Sequence, residues 1–186
     1  MYKIARRVNI ECENCGYTEH IYSDSPHNLP ILHFCKICEK YVFFTVKAIP
    51  LTIAIGFDGT CVKDAFPDIG EQIVKTEILQ KLSHSNYLIL YTMRSNINEP
   101  ISMDAQHMYL TQAVKWFEER NIRLYGINEN PDQNKKTHSS KISADLYIDN
   151  VYCGVPLVIE ENEEPYVDWE KLSYMLEIAG IIQGGI

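Results

Sequence analysis

A chain of 186 residues is long enough for one ordinary core with a small appendage. Its 46% hydrophobic and 23% charged content is that of a soluble globular protein, and no apolar run reaches 18 residues, so no membrane span is expected. Net charge is 17 − 25 = −8, which works against non-specific binding to nucleic acid.

The N-terminus, Met1 to Arg7, is basic but leads into Glu11 and Cys12 rather than an apolar signal core, so a cytoplasmic location is expected. Residues 1–50 hold six Lys/Arg against five acids, which places the acidity downstream. Four of the six cysteines then form two pairs, Cys12/Cys15 and Cys35/Cys38, spaced C-x2-C-x19-C-x2-C. Each pair can wrap a turn around one metal, and two turns supply four thiolates in a tetrahedron. Tyr17 to Tyr22 alternates like a strand, Ser23 to Pro30 is turn-rich, and Tyr41 to Val46 is a second strand. Strands hung from two knuckles resemble a zinc ribbon, over residues 1–50. So small a unit draws much of its folding energy from the metal, expected to be structural Zn²⁺. A rubredoxin-like iron site and a redox or disulfide role are the alternatives. His20, His27 and His33 could replace a thiolate, but four cysteines already close the shell. Aromatic residues Tyr17, Tyr22, Phe34, Tyr41, Phe43 and Phe44 could stack on bases. With one surplus positive charge, nucleic-acid contact through the ribbon is possible but not favoured.

Pro50 marks the boundary to a second domain, residues 51–186. Apolar strands alternate there with helical patterns, which predicts an α/β fold with a parallel sheet. Strands are expected at 51–56, 87–91, 122–127, 144–149 and 155–159. Helices are expected from Glu71 to Leu82, Asp104 to Arg120 and Trp169 to Ala179. Asn128 to Ser140 reads as a polar loop and Gly184-Gly185 as a loose end. Ligands of open parallel sheets sit beyond the carboxyl ends of the strands. Asp58, Thr92, Arg94, Asp149 and Asn150 stand at those ends, and Lys141 opens the segment into the fourth strand.

The ordered marks are Gly56-Phe57-Asp58-Gly59-Thr60, Pro67-Asp68-Ile69-Gly70, Leu88 to Arg94, Trp116 and Ala144 to Asn150. On these, residues 51 to about 178 resemble a small capless phosphatase of the haloacid dehalogenase (HAD) superfamily, a bare Rossmann-like sheet. The ribbon lies outside that family core. The resemblance implies a carboxylate that attacks phosphorus and an aspartyl-phosphate that water opens. It implies Asp58 as general acid/base, Thr92 as hydrogen-bond donor to the phosphoryl oxygens and Lys141 as charge neutraliser. It also implies Mg²⁺ held by Asp149 and Asp58. Arg94 is expected to be either a phosphate or substrate clamp or a surface ion-pair partner.

Two positions depart from the pattern. Gly56 stands where the family's nucleophilic aspartate belongs, and that aspartate is also a direct metal ligand. Asn150 replaces an acid that is common beside Asp149. A weakened Mg²⁺ site follows, and loss of a catalytic nucleophile costs turnover roughly 10⁶-fold in other enzymes. The expected protein is therefore a degenerate phosphohydrolase that binds a phosphorylated small molecule or a protein partner. The alternatives are an active Mg²⁺-dependent phosphomonoester hydrolase, with a shifted register or Cys61 as nucleophile, and a zinc-ribbon adaptor for nucleic acid or protein.

Overall fold

The computed structural model describes residues 6–23, 30–96 and 108–182. The turn-rich residues 24–29 with His27, the start of the helix expected from Asp104, and Gly184-Gly185 lie outside the described residues. Contacts divide the chain into two compact units: Met1–Pro50 with Met175–Ile186, and Leu51–Tyr174. No helix among the described residues is long and apolar enough to cross a membrane.

In the first unit β1 (Arg6–Cys12), β2 (Thr18–Ser23), β3 (Ile31–Cys35) and β4 (Lys40–Ala48) form one antiparallel sheet in the order β2-β1-β4-β3. The sequence reading marks β2 and β4 and passes over β1 and β3. Side chains alternate across a strand, so one face collects Val8, Ile10, Cys12, Cys35, Phe44 and Val46 as a core. The register sets Ile10 opposite Val46 and Cys12 opposite Phe44. Leu32, Phe34, Tyr41 and Phe43 lie on the other face and are exposed.

In the second unit β5 (Thr52–Ile55), β6 (Tyr87–Leu90), β7 (Gly126–Ile127) and β8 (Leu146–Ile148) form a parallel sheet in the order β7-β6-β5-β8. Ile53 to Ile55 and Leu88 to Leu90 are buried, as unbroken apolar runs in a sheet covered on both faces must be. The strand expected at 155–159 is not a fifth member. β9 (Leu157–Val158) pairs antiparallel with β10 (Tyr166–Val167) in a separate two-stranded sheet.

The first helix, α1, runs Thr76–Ser85 rather than from Glu71. Residues 71–73 stay extended because they pair with 61–63: the Lys63 amide donates to the Glu71 carbonyl at 2.8 Å and the Ile73 amide to the Cys61 carbonyl at 3.1 Å. That pairing overrides the helical pattern locally. α1 buries Ile78, Leu79 and Leu82. α2 (Tyr109–Glu118) buries Ala113, Trp116 and Phe117, and Asn121 at φ +52° turns the chain out of it. α3 (Trp169–Ile178) starts at an indole whose N–H donates to the Thr60 carbonyl at 2.6 Å, anchoring the loop after β5.

Candidate functional site

Two groups of reactive side chains stand out, one in each unit. The cysteines lie in the turns that join β1 to β2 and β3 to β4. In the first turn Gly16, at φ +72°, follows Cys15 and donates its amide to the Cys12 carbonyl at 2.9 Å. In the second Glu39, at φ +52°, follows Cys38, whose amide donates to Cys35 Sγ at 3.4 Å. The turns bring all four Sγ atoms within 4.8 Å of one another. Cys12 and Cys38 are 3.9 Å apart, and Cys15 and Cys35 3.6 Å. Four sulfurs at about 2.3 Å from one tetrahedral ion stand about 3.8 Å apart, whereas a disulfide needs about 2.05 Å. The spacing fits a metal and not a bridge. Cys35 is lowered to about 7: burial raises its thiol, but the amides of Cys38 and Ile37 and two neighbouring thiols outweigh it. Cys38 is pushed up to about 12, first by Cys15 and then by burial.

The second group surrounds the loop after β5. That strand ends at Ile55, so Gly56 is the first residue beyond it, with its amide tied to the Ile148 carbonyl of β8 at 2.8 Å. A Cβ at Gly56 would press on Asp149 Oδ2, 2.9 Å from Asp149 Cγ and 2.8 Å from Thr60 Oγ1. The Asp149 carboxylate thus stands in the space a side chain at position 56 would take. Burial raises its pKa above the ordinary carboxyl range, against the lowering effect of the Val151 amide, which donates to Oδ1 at 3.1 Å.

Asp58 is held by Arg94. Nε donates to one carboxylate oxygen at 2.8 Å and Nη2 to the other at 2.6 Å. Arg94 also donates to the carbonyls of Pro67 at 3.0 Å and Asp68 at 2.7 Å, and its guanidinium lies over the rings of Phe57 and Phe66. It is 2% exposed, so the ion pair is not at the surface and the donors it uses are turned inward. Thr92 lies in the turn after β6, its amide bound to Asn128 Oδ1 at 2.8 Å. Its hydroxyl accepts the Arg94 amide at 3.1 Å, and among the described residues no acceptor takes its proton. Asn150 donates its side-chain amide to the Pro165 carbonyl at 3.0 Å.

Lys141 is exposed and forms no ion pair among the described residues. Its backbone is placed by Gln133, which the sequence reading overlooks within the polar loop. The Gln133 side chain is buried, donates to the carbonyls of Ser139 and Lys141 at 2.8 Å each, and accepts the Ser143 amide at 2.6 Å. Cys61, the alternative nucleophile, is buried. Its buried thiol donates to the Gly56 carbonyl at 3.3 Å, and burial, then Asp58 and Asp149, lift it well above the ordinary thiol range. Contacts thus join Asp58, Thr92 and Arg94 in one group and set Thr60 and Asp149 around Gly56 in another, and neither includes Lys141.

No protein-family model and no curated protein matches the chain. Among solved structures it is similar to a conserved protein from Bacteroides thetaiotaomicron, with 29% identity over 69% of this chain and 91% of that one, and a TM-score of 0.51.

Proposed function

We propose that the second unit is a catalytically silent relative of the capless HAD phosphatases, which holds a phosphorylated small molecule or protein without hydrolysing it. The observation that carries this reading is the pairing of Asp58 with Arg94 beside a filled position 56. Hydrolysis through an aspartyl-phosphate needs one carboxylate to attack and another to pass a proton. At Gly56 the first is missing, and at Asp58 both oxygens are taken up by the guanidinium.

What remains suits binding. Among the described residues no acceptor takes the Thr92 hydroxyl proton, no acid pairs with Lys141, and no acceptor pairs with the amides of Phe57, Asp58 and Met93. Thr92 and the three amides follow the carboxyl ends of β5 and β6, where ligands of open parallel sheets sit, whereas Lys141 lies in the segment before β8. Taking the parallel strands by chain order, the sheet runs third, second, first, fourth, as the first four strands of doubly wound sheets do. Asp149 opposes an anion until a proton or a divalent cation neutralises it. Binding therefore tightens on acidification or with Mg²⁺, which Asp149 and Asp58 would hold only weakly. In the ribbon we infer a structural zinc ion on Cys12, Cys15, Cys35 and Cys38, a donor set and spacing suited to it.

Calorimetric titration with inorganic phosphate and a panel of phosphomonoesters, with and without Mg²⁺, tests this beside a phosphate-release assay. The expected result is binding without release. Turnover by the unaltered chain overturns the silence, and no binding under any condition overturns the phosphoryl site. Gly56→Asp should gain Mg²⁺ affinity, because it sets a second carboxylate against Asp149, yet stay slow while Arg94 holds Asp58.

A second reading rests on the exposed face of Leu32, Phe34, Tyr41 and Phe43, which suits a ribbon that docks nucleic acid or protein. A gel shift that survives Cys12→Ser would count against it.

A further inference from the structure

We propose that the crevice selects phosphate esters of planar aromatic groups, nucleoside monophosphates or aryl phosphates, by stacking the ring on Tyr91 and Tyr152. The inference rests on reading the crevice as a phosphoryl site.

β6 and β8 flank β5 in the sheet, so the turns that follow them stand on either side of Gly56. Each turn carries a tyrosine next to a group assigned to the phosphoryl end. Tyr91 precedes Thr92, and its amide donates to the Ile55 carbonyl at 2.8 Å, which sets it level with the end of β5. Tyr152 lies three residues past Asp149, and its amide donates to the Asp149 carbonyl at 3.2 Å. Both meet Tyr147 of β8, which pairs in the sheet with the small Ala54. Tyr147 is the fixed member: its hydroxyl donates to the Ile142 carbonyl and accepts the Ala144 amide at 3.3 Å. The Tyr91 ring meets it edge-to-face at 6.4 Å, and the Tyr152 ring stacks on it at 5.3 Å with 26° between planes. The three rings make one wall across β5. Tyr91 is 36% exposed, and Met93, two residues on, is fully exposed. A phosphate at Thr92 would point its ester group along this wall. The wall offers aromatic faces and a thioether, which favour another π-system.

The full chain is titrated in Mg²⁺ with inorganic phosphate, ribose 5-phosphate, AMP and phenyl phosphate. AMP, phenyl phosphate or both are expected to bind at least about tenfold more tightly than the two non-aromatic anions, the scale of one stacked ring. Which of the two gains tells a nucleotide site from an aryl one. Tyr152→Leu and Tyr91→Leu should bring the aromatic esters down to ribose 5-phosphate while leaving inorganic phosphate unchanged. Saturation-transfer NMR on the unaltered protein needs no variant to fold, and should show the ligand's ring protons saturated more strongly than ribose protons. Equal affinity for all four anions overturns aromatic selection and leaves the phosphoryl site standing. Failure of every anion to bind overturns both.

Discussion

In the ribbon, four thiols from two hairpin turns converge within 4.8 Å and form a complete shell for one ion, whereas in the crevice the reactive groups already neutralise or displace one another. Arg94 occupies Asp58, and Asp149 fills the space beside Gly56. The first site would gain its order from the proposed ion. The second is ordered by its own side chains. The difference bears on the proposed function: Asp58 and Asp149 are both present, but Asp58 is paired with Arg94 and Asp149 lies beside Gly56, an arrangement that on the proposed reading would suit binding better than proton transfer.

Removal of the proposed ion should therefore affect the first unit and spare the second. Apparent binding free energies of structural zinc run to about 10–16 kcal/mol, far more than a four-stranded sheet with so small a core can replace. Cys35→Ser, or a strong chelator, is expected to abolish metal binding and melt β1 to β4, while the parallel sheet keeps its own thermal transition. Elemental analysis with amide NMR reads both. If the chelated protein keeps the amide dispersion of β1 to β4, the ribbon does not depend on its metal.

The next effect should lie in the crevice. Arg94 is buried and Asp58 mostly so, and breaking such a pair by removing one partner costs about 3–5 kcal/mol. Arg94→Met leaves the Asp58 carboxylate and the Pro67 and Asp68 carbonyls without their donors. Its urea midpoint should fall accordingly, and adding Asp58→Asn should recover part of the loss. A single variant as stable as the parent would mean that the clamp is not what orders the loop after β5.

How much of this the sequence discloses depends on how local each feature is. The cysteine shell is legible because each pair is bound into its own tight turn, so spacing alone reports geometry. β5 and β6 are legible because every residue from Ile53 to Ile55 and Leu88 to Leu90 must be apolar to be buried. β7 and β9 are legible only in part: strands are expected at 122–127 and 155–159, but two residues of each are paired, and no local pattern says that β9 joins β10 and not the parallel sheet. The false start of the first helix at Glu71 has a tertiary cause, the pairing with 61–63, that no window of neighbouring residues contains. The Asp58–Arg94 clamp joins residues 36 apart in a chain with many acids and bases. Gln133 looks like any polar loop residue until its three hydrogen bonds are seen.

A pH series sharpens the contrast further, with a smaller effect. Burial raises the Asp149 pKa above its unfolded value. Its contribution to stability is therefore fully present below the unfolded value, near 3.9, and is lost as pH rises through the raised one. Asp149→Asn keeps an acceptor for the Val151 amide and removes that loss. The variant should melt higher than the parent at pH 7, and the two should converge as pH falls below about 4. A constant offset across the range would assign the gain to packing and not to ionisation.

The smallest effect compares the two knuckles with each other. Both cysteine pairs are followed by a residue of positive φ, Gly16 at +72° in one and Glu39 at +52° in the other. An L side chain in that region costs roughly 1–2 kcal/mol, which glycine avoids. A Cβ on Gly16 would meet nothing within 4 Å, so Gly16→Ala isolates the backbone cost from any clash. Glu39→Gly should relieve the same strain in the second knuckle, against some loss from the freer unfolded chain. Taking about 1 kcal/mol as the net scale, zinc affinity by chelator competition should fall about fivefold for Gly16→Ala and rise by less for Glu39→Gly. Opposite signs would show that both turns must reach the left-handed geometry before the fourth thiolate closes. If Glu39→Gly instead weakens binding, the Glu39 side chain contributes more to the turn than its backbone costs.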